Sequence, residues 1–205
     1  MEISALLRHR RTSSRGFTLV EVLVSIVVLV VGLISLSSLA AKTLFGTQRS
    51  QFSGVAANLA SEKLEDLNRW PSWDPNVYAA SGTTVGSLTA DTSASVTSNG
   101  ITETVAYFDD VETSNANAAV SETVSQQISG VTTFVTTSHK PDGTTVVTSN
   151  PTAATSDVNV TAFHRRWIIE KDQPIMGVRR ITVVVTLTNS YLNPPVSFQT
   201  SMVRP

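Results

Sequence analysis

The chain contains no cysteine, which excludes disulfide staples, thiol catalysis and Cys-based zinc sites. Histidine is nearly as scarce. His9, His139 and His164 have no ligand spacing between them, and no His-based catalytic set is visible. Charged residues make up 15% of the chain, aromatic residues 6%, and the formal net charge is −1. No whole-chain field therefore drives binding to nucleic acid or to an anionic membrane. No proline precedes Pro71, so nothing of that kind interrupts a helix in the first third. No cofactor or metal signature stands out, no small-molecule substrate is indicated, and the chain does not read as an enzyme.

What is present is one long apolar run. From Phe17 to Ala41 it counts 25 residues with a single charge, Glu21. As a helix it would span about 37 Å against a hydrocarbon core of about 30 Å, enough to cross a bilayer once. Arg8, Arg10, Arg11 and Arg15 precede the run, and the first basic residue after it is Lys42. That asymmetry predicts a cytoplasmic N-terminus, with the bulk of the protein exported. The core is longer than that of an ordinary secretory signal, and its conspicuous small residue, Gly16, sits before the apolar run.

The string Gly16, Phe17, Thr18, Leu19, Val20, Glu21, preceded by arginines and followed by apolar residues, resembles the class III signal of type IV pilins and type II secretion pseudopilins. The resemblance implies that a prepilin peptidase cuts between Gly16 and Phe17 and that the new N-terminus is methylated at Phe17. Glu21 would then be the fifth residue of the mature chain. A glycine at the cut lets extended backbone enter a protease site without side-chain conflict. A carboxylate in a spanning helix calls for a partner. The partner expected for Glu21 is the α-amino group of Phe17 on a neighbouring subunit, which would offset two buried charges and fix the register of adjacent helices. The alternative is that Glu21 snorkels to the headgroups.

The fold implied is α+β and pilin-like, with a long N-terminal helix, first membrane-spanning and then amphipathic, packed on a C-terminal antiparallel sheet. The expected division is a leader at 1–16, the transmembrane and assembly half of the helix at 17–41, its amphipathic half at 42–70, a loop-rich connector at 71–99, and a β-rich domain at 100–205. Phe52, Val55, Ala56, Leu59, Leu64 and Leu67 give the second half its apolar stripe, and Trp70-Pro71 ends it. Gly32 with Ser35, Ser37 and Ser38 weakens helix propensity where major pilins commonly carry a proline. Gly46 is a second soft point or a glycine at a close contact.

Pro71 to Ser98 reads as irregular connector with Trp73 and Tyr78 as packing anchors. Gly100 to Val111 reads as one strand, and Asn115 to Gly130 as loop or weak helix. Val131 to Ser138 and Thr144 to Ser149 flank a Pro-Asp-Gly turn and predict a hairpin. Phe163 to Glu170, Val178 to Asn189 and Val196 to Met202 predict three antiparallel strands, with Ile181, Val183, Val185 and Leu187 on the face that meets the helix.

Three other clusters are weighed. Asp109, Asp110 and Glu112 suit a calcium ion in principle, but a solvated strand end is the expectation. Arg165-Arg166 and Arg179-Arg180 would form a basic patch if adjacent across a hairpin, although without interleaved aromatics nucleic acid is not the expected partner. The Ser and Thr content, roughly a quarter of the chain, leaves glycosylated or adhesive loops open.

The reading is a minor type IV pilin-like structural subunit, with a loose C-terminal likeness to PilV-type minor pilins. Its expected partners are a prepilin peptidase, other pilin subunits, a pilus assembly platform and inner-membrane lipid, with the filament at the cell surface as its destination. A minor pseudopilin of a type II secretion system is the alternative within the family. A membrane-tethered adhesin that never polymerises is the alternative outside it.

Overall fold

The computed structural model describes residues 16–114, 119–128, 130–152, 160–188 and 194–205. The expected leader, apart from Gly16, and His9 lie outside the described residues. So do Asn115, Asn189 and Asn193.

Helix α1 (Leu19–Arg69) is continuous over 51 residues. Thr18 caps its start, with Oγ1 accepting from the Glu21 N–H at 3.2 Å. The small polar residues of the apolar half do not interrupt it. Ser25, Ser35 and Ser37 each donate back to the carbonyl four residues earlier, and Ser38 to the carbonyl of Ser35. Serine satisfied in this way is tolerated inside a helix. The helix stops where Trp70-Pro71 was expected to stop it, and Arg204 Nη1 donates to the carbonyls of Leu67, Asn68 and Trp70 at 3.0–3.2 Å. A cation there also complements the negative end of the helix dipole.

Two compact units meet in sequence at Gly46 and Thr47. In the first, every described residue is exposed, including apolar side chains such as Leu19, Ile26, Leu29 and Leu36. This stretch is long and apolar enough to cross a membrane. A Cβ added at Gly32 or Gly46 would meet nothing within 4 Å, so neither glycine marks a close contact within the chain.

The second unit has an eight-stranded antiparallel sheet. Its strands are β1 (Thr84–Gly86), β4 (Phe108–Ser114), β5 (Val120–Ile128), β6 (Val131–His139), β7 (Thr145–Asn150), β8 (Val160–Lys171), β9 (Arg179–Leu187) and β10 (Ser197–Arg204). The order is β10-β9-β8-β4-β5-β6-β7, with β1 paired to β8. A separate pair, β2 (Ser93–Ser98) and β3 (Ile101–Ala106), forms a two-stranded sheet. The helix lays Ala56, Leu59, Ala60, Leu64 and Leu67 into one core with Phe163, Trp167, Ile169 and the β9 face. Ile181, Val183, Val185 and Leu187 are all buried, as their alternation predicts. The three C-terminal strands and the 131–150 hairpin stand where they were expected. The hairpin turn closes with Lys140 N–H on Thr144 O and Gly143 N–H on Lys140 O.

Four expectations are corrected. The connector is not wholly irregular, since it supplies β1 and β2, and Trp73 is 48% exposed, so of its two aromatic anchors only Tyr78 packs on the core. The strand expected over 100–111 is two strands in different sheets, broken at Tyr107. Its N–H donates to Thr92 O while its carbonyl accepts from Trp167 N–H. The segment expected as loop or weak helix contains β5, nine residues paired with β4 and β6. Asp109 is not at a solvated strand end: it is 1% exposed.

Candidate functional site

At the N-terminal site, a Thr-Leu-Val-Glu sequence starts α1. Thr18 is the cap and Glu21 the third helical residue, the spacing of a capping box, which satisfies one of the orphan N–H groups of the first turn. The sequence reading passed over Thr18 in this role, although the Thr-x-x-Glu spacing signals it. Phe17 is 80% exposed and lies outside the helix. It lines a shallow apolar groove with Val22, Ser25, Ile26 and Leu29. Glu21 is exposed on the first turn and makes no ion pair among the described residues. Gly16 is exposed, and a Cβ there would meet nothing within 4 Å among the described residues. Among the described residues nothing crowds position 16 in a way that would require glycine there.

The acidic and basic residues singled out in the β domain are rearranged rather than gathered. Asp109 accepts from Arg165 through Nε at 2.7 Å and Nη2 at 2.8 Å, and from Lys63 Nζ at 2.8 Å. Arg165 also reaches Glu122 Oε1 at 2.8 Å, and its Nη1 donates to Leu59 O at 3.4 Å. Both the Asp109 and Arg165 side chains are fully buried. Burial pushes the Asp109 carboxyl up, but the charges of Lys63 and Arg165 and their hydrogen bonds outweigh it and hold it below the ordinary range. Burial likewise works against the charge on Arg165, and Asp109 and Glu122 outweigh it. This group joins the helix to β4, β5 and β8 and leaves no open position for a cation; among the described residues no cluster with the makings of a metal site occurs.

His164 faces the opposite side of β8. Its Nδ1 lies 2.6 Å from Asp110 and its Nε2 2.8 Å from Asp91. Arg166 Nε also donates to Asp91 at 2.7 Å. The hydrogen bond to Asp110 raises the His164 pKa, burial opposes it, and Asp91 adds to the rise. The arginine pairs weighed as a basic patch are not adjacent across the hairpin. Arg165 is opposite Val185 and Arg180 opposite Glu170, and Arg180 pairs with Glu170 at 2.6 Å. In the antiparallel register Arg165 and Arg166 pair with Val185 and Val184, whereas Arg179 and Arg180 pair with Lys171 and Glu170, so the two arginine pairs sit well apart along the hairpin.

Two arrangements therefore remain: a buried charge network that ties the helix to the sheet, and an exposed N-terminal segment in which Gly16, Phe17 and the Glu21 carboxylate make no packing or ion-pair contact that fixes the fold among the described residues. No curated protein and no solved structure matches the sequence. Residues 11–37 match the family model of the prokaryotic N-terminal methylation motif, a stretch that contains Gly16, Phe17 and Glu21.

Proposed function

We propose that this protein is a pilin-like structural subunit, most specifically a minor type IV pilin. It is made as a membrane precursor, cut by a prepilin peptidase between Gly16 and Phe17, methylated at Phe17, and assembled through its N-terminal helix. The observation that carries the reading is the methylation motif at 11–37 at the head of a 51-residue helix whose apolar half buries nothing. A spanning anchor alone needs neither a glycine before the run nor a carboxylate within its first turn. Among the described residues no neighbour crowds Gly16, which supports an external requirement, a protease that reads the backbone there.

In the proposed assembly the Glu21 carboxylate meets the α-amino group of Phe17 on the next subunit. Lipid already satisfies apolar side chains, so helix association leans on packing and on such polar contacts. The β domain, held by its own core, faces outward as cargo. The test is the intact mass of the protein expressed with and without a prepilin peptidase. A species beginning at Phe17 with one added methyl group, only when the peptidase is present, is the expected result. A full-length species in both samples, or one cut beyond Ala41, would return the protein to the tethered or secreted class.

A further inference from the structure

The two-stranded sheet and the last turns of α1 leave a cavity of about 180 Å³ between them, lined among others by Asp66, Trp70, Asn76, Thr104, Gln126 and Trp167. Trp70 is 45% exposed, an indole half in water at the cavity's edge. Trp167 is its most deeply buried aromatic wall, 4% exposed, and its Nε1–H has no acceptor among the described residues. A buried donor without an acceptor is unfavourable, and buried indoles normally find a partner. The Asn76 amide is pre-set, because its Nδ2 donates to Asp74 Oδ1 at 3.0 Å and so turns its own oxygen away as a free acceptor.

The charges around the cavity decide its ligand class. Lys63 also lines it, but its Nζ is committed to Asp109 at 2.8 Å and lies 4.2 Å from the Trp167 ring centroid. Its charge is spent, and the Asp66 carboxylate is itself 3.8 Å from Arg69 Nη1, so neither sign of charge is left to dominate the cavity. A peptide or drug-sized ligand needs roughly 300 Å³ or more, so the space takes one small ring. Amides, a hydroxyl, a carboxylate and an indole N–H around two indole surfaces suit a neutral molecule with hydroxyls at its rim and C–H groups on its faces.

We infer that this cavity is a binding site for a single neutral sugar residue. Trp70 stacks on the apolar face of the ring. Asp66, the Asn76 oxygen and the Gln126 amide accept from or donate to its hydroxyls, and a ring or hydroxyl oxygen takes the Trp167 N–H. The ligand is held, with no bond made or broken. The inference rests on the second unit alone and stands whether or not the chain enters a filament.

The test uses the full chain in a detergent without a sugar headgroup. The probes are the methyl glycosides of glucose, galactose, mannose, N-acetylglucosamine and N-acetylgalactosamine, read by saturation-transfer NMR and tryptophan fluorescence. At least one glycoside is expected to bind with a dissociation constant of about 1 mM or tighter. Trp70→Ala should abolish that signal. Gln126→Ala should weaken binding by roughly tenfold, the loss of one or two hydrogen bonds, with an unchanged melting curve. Trp70→Phe, which keeps a stacking face, should retain most of the affinity. No binding by any glycoside would overturn the inference, as would binding that survives both Trp70→Ala and Gln126→Ala, or a preference for acetate or phosphate over every glycoside.

Discussion

At the scale of single residues, Asp109 holds together charges that would otherwise be stranded in the core. It is the shared acceptor of Lys63 and Arg165, and both it and Arg165 are fully buried. Removing one member of a buried ionic group leaves uncompensated charge, which destabilises by about 3–5 kcal/mol. Asp109→Ala should lower the denaturant midpoint of the full chain in micelles by a corresponding amount. Arg166→Ala, which breaks a more exposed pair with Asp91, should cost less than about 1 kcal/mol. Equal effects from the two variants would contradict this account. His164 adds a pH term of known sign. Its folded pKa is raised above the ordinary histidine value of about 6.5. The stabilisation from Asp110 and Asp91 is therefore fully present below about 6.5 and is lost as pH rises through the folded value. Asp91 has the opposite sense: its burial works to raise its pKa, but His164 and Arg166 lower it overall, so its contribution is lost as pH falls below the ordinary carboxyl range. Unfolding measured across pH 5.5 to 8.5 should show a decline at the alkaline end that His164→Gln flattens.

At the scale of elements, close approach matters more than propensity. Gly86 ends β1 with φ +86°, and a Cβ there would fall 2.2 Å from the Trp167 carbonyl and 3.1 Å from the Tyr107 ring. Gly86→Ala should therefore detach β1 from β8 and raise amide exchange over residues 84–86 well before the rest of the sheet. Ala56 and Ala60 have no exposed surface at the helix–sheet contact. Enlarging either to Leu should destabilise by about 1–3 kcal/mol through overpacking. The same elements show what sequence can and cannot tell. Alternation in β9 and the periodic stripe of α1 were legible because each has one dominant buried face. β5 was not, because Val120, Val124 and Ile128 recur every four residues, a spacing that fits a helical face and one side of a strand equally well. Its identity is set by pairing with β4 and β6, a tertiary fact. The break at Tyr107 was hidden for a similar reason, since alternation continues across it while the chain passes from one sheet to the other. At the N-terminal site the glycine, phenylalanine and glutamate were legible as a string. The burial of Asp109 was not, because no local pattern announces that a lysine 46 positions earlier will reach it.

At the scale of the whole molecule, the two units solve the problem of apolar surface differently. The second unit closes its core between the sheet and the last turns of α1, whereas the helix from Leu19 to Gly46 leaves its apolar side chains exposed. That surface can be covered by lipid before assembly and by other helices afterwards, and the proposed role requires passage from one to the other. Lipid and neighbouring side chains are similarly apolar, so apolar burial gives little preference for the filament. The proposed charge pair, made only between subunits, would supply that preference and penalise any register in which the carboxylate lacks its partner. Glu21→Gln keeps the shape and the hydrogen-bonding capacity of the side chain while removing its charge. Cleavage after Gly16 should proceed as before, since the peptidase acts four residues upstream, and the mature protein should accumulate in membranes. Its recovery in sheared filaments should fall at least tenfold, the loss of about 1.4 kcal/mol or more of pairing. Unchanged recovery would show that Glu21 merely reaches the headgroups, and the force that draws the helix out of lipid would then have to be sought in packing along Val22, Ile26 and Leu29.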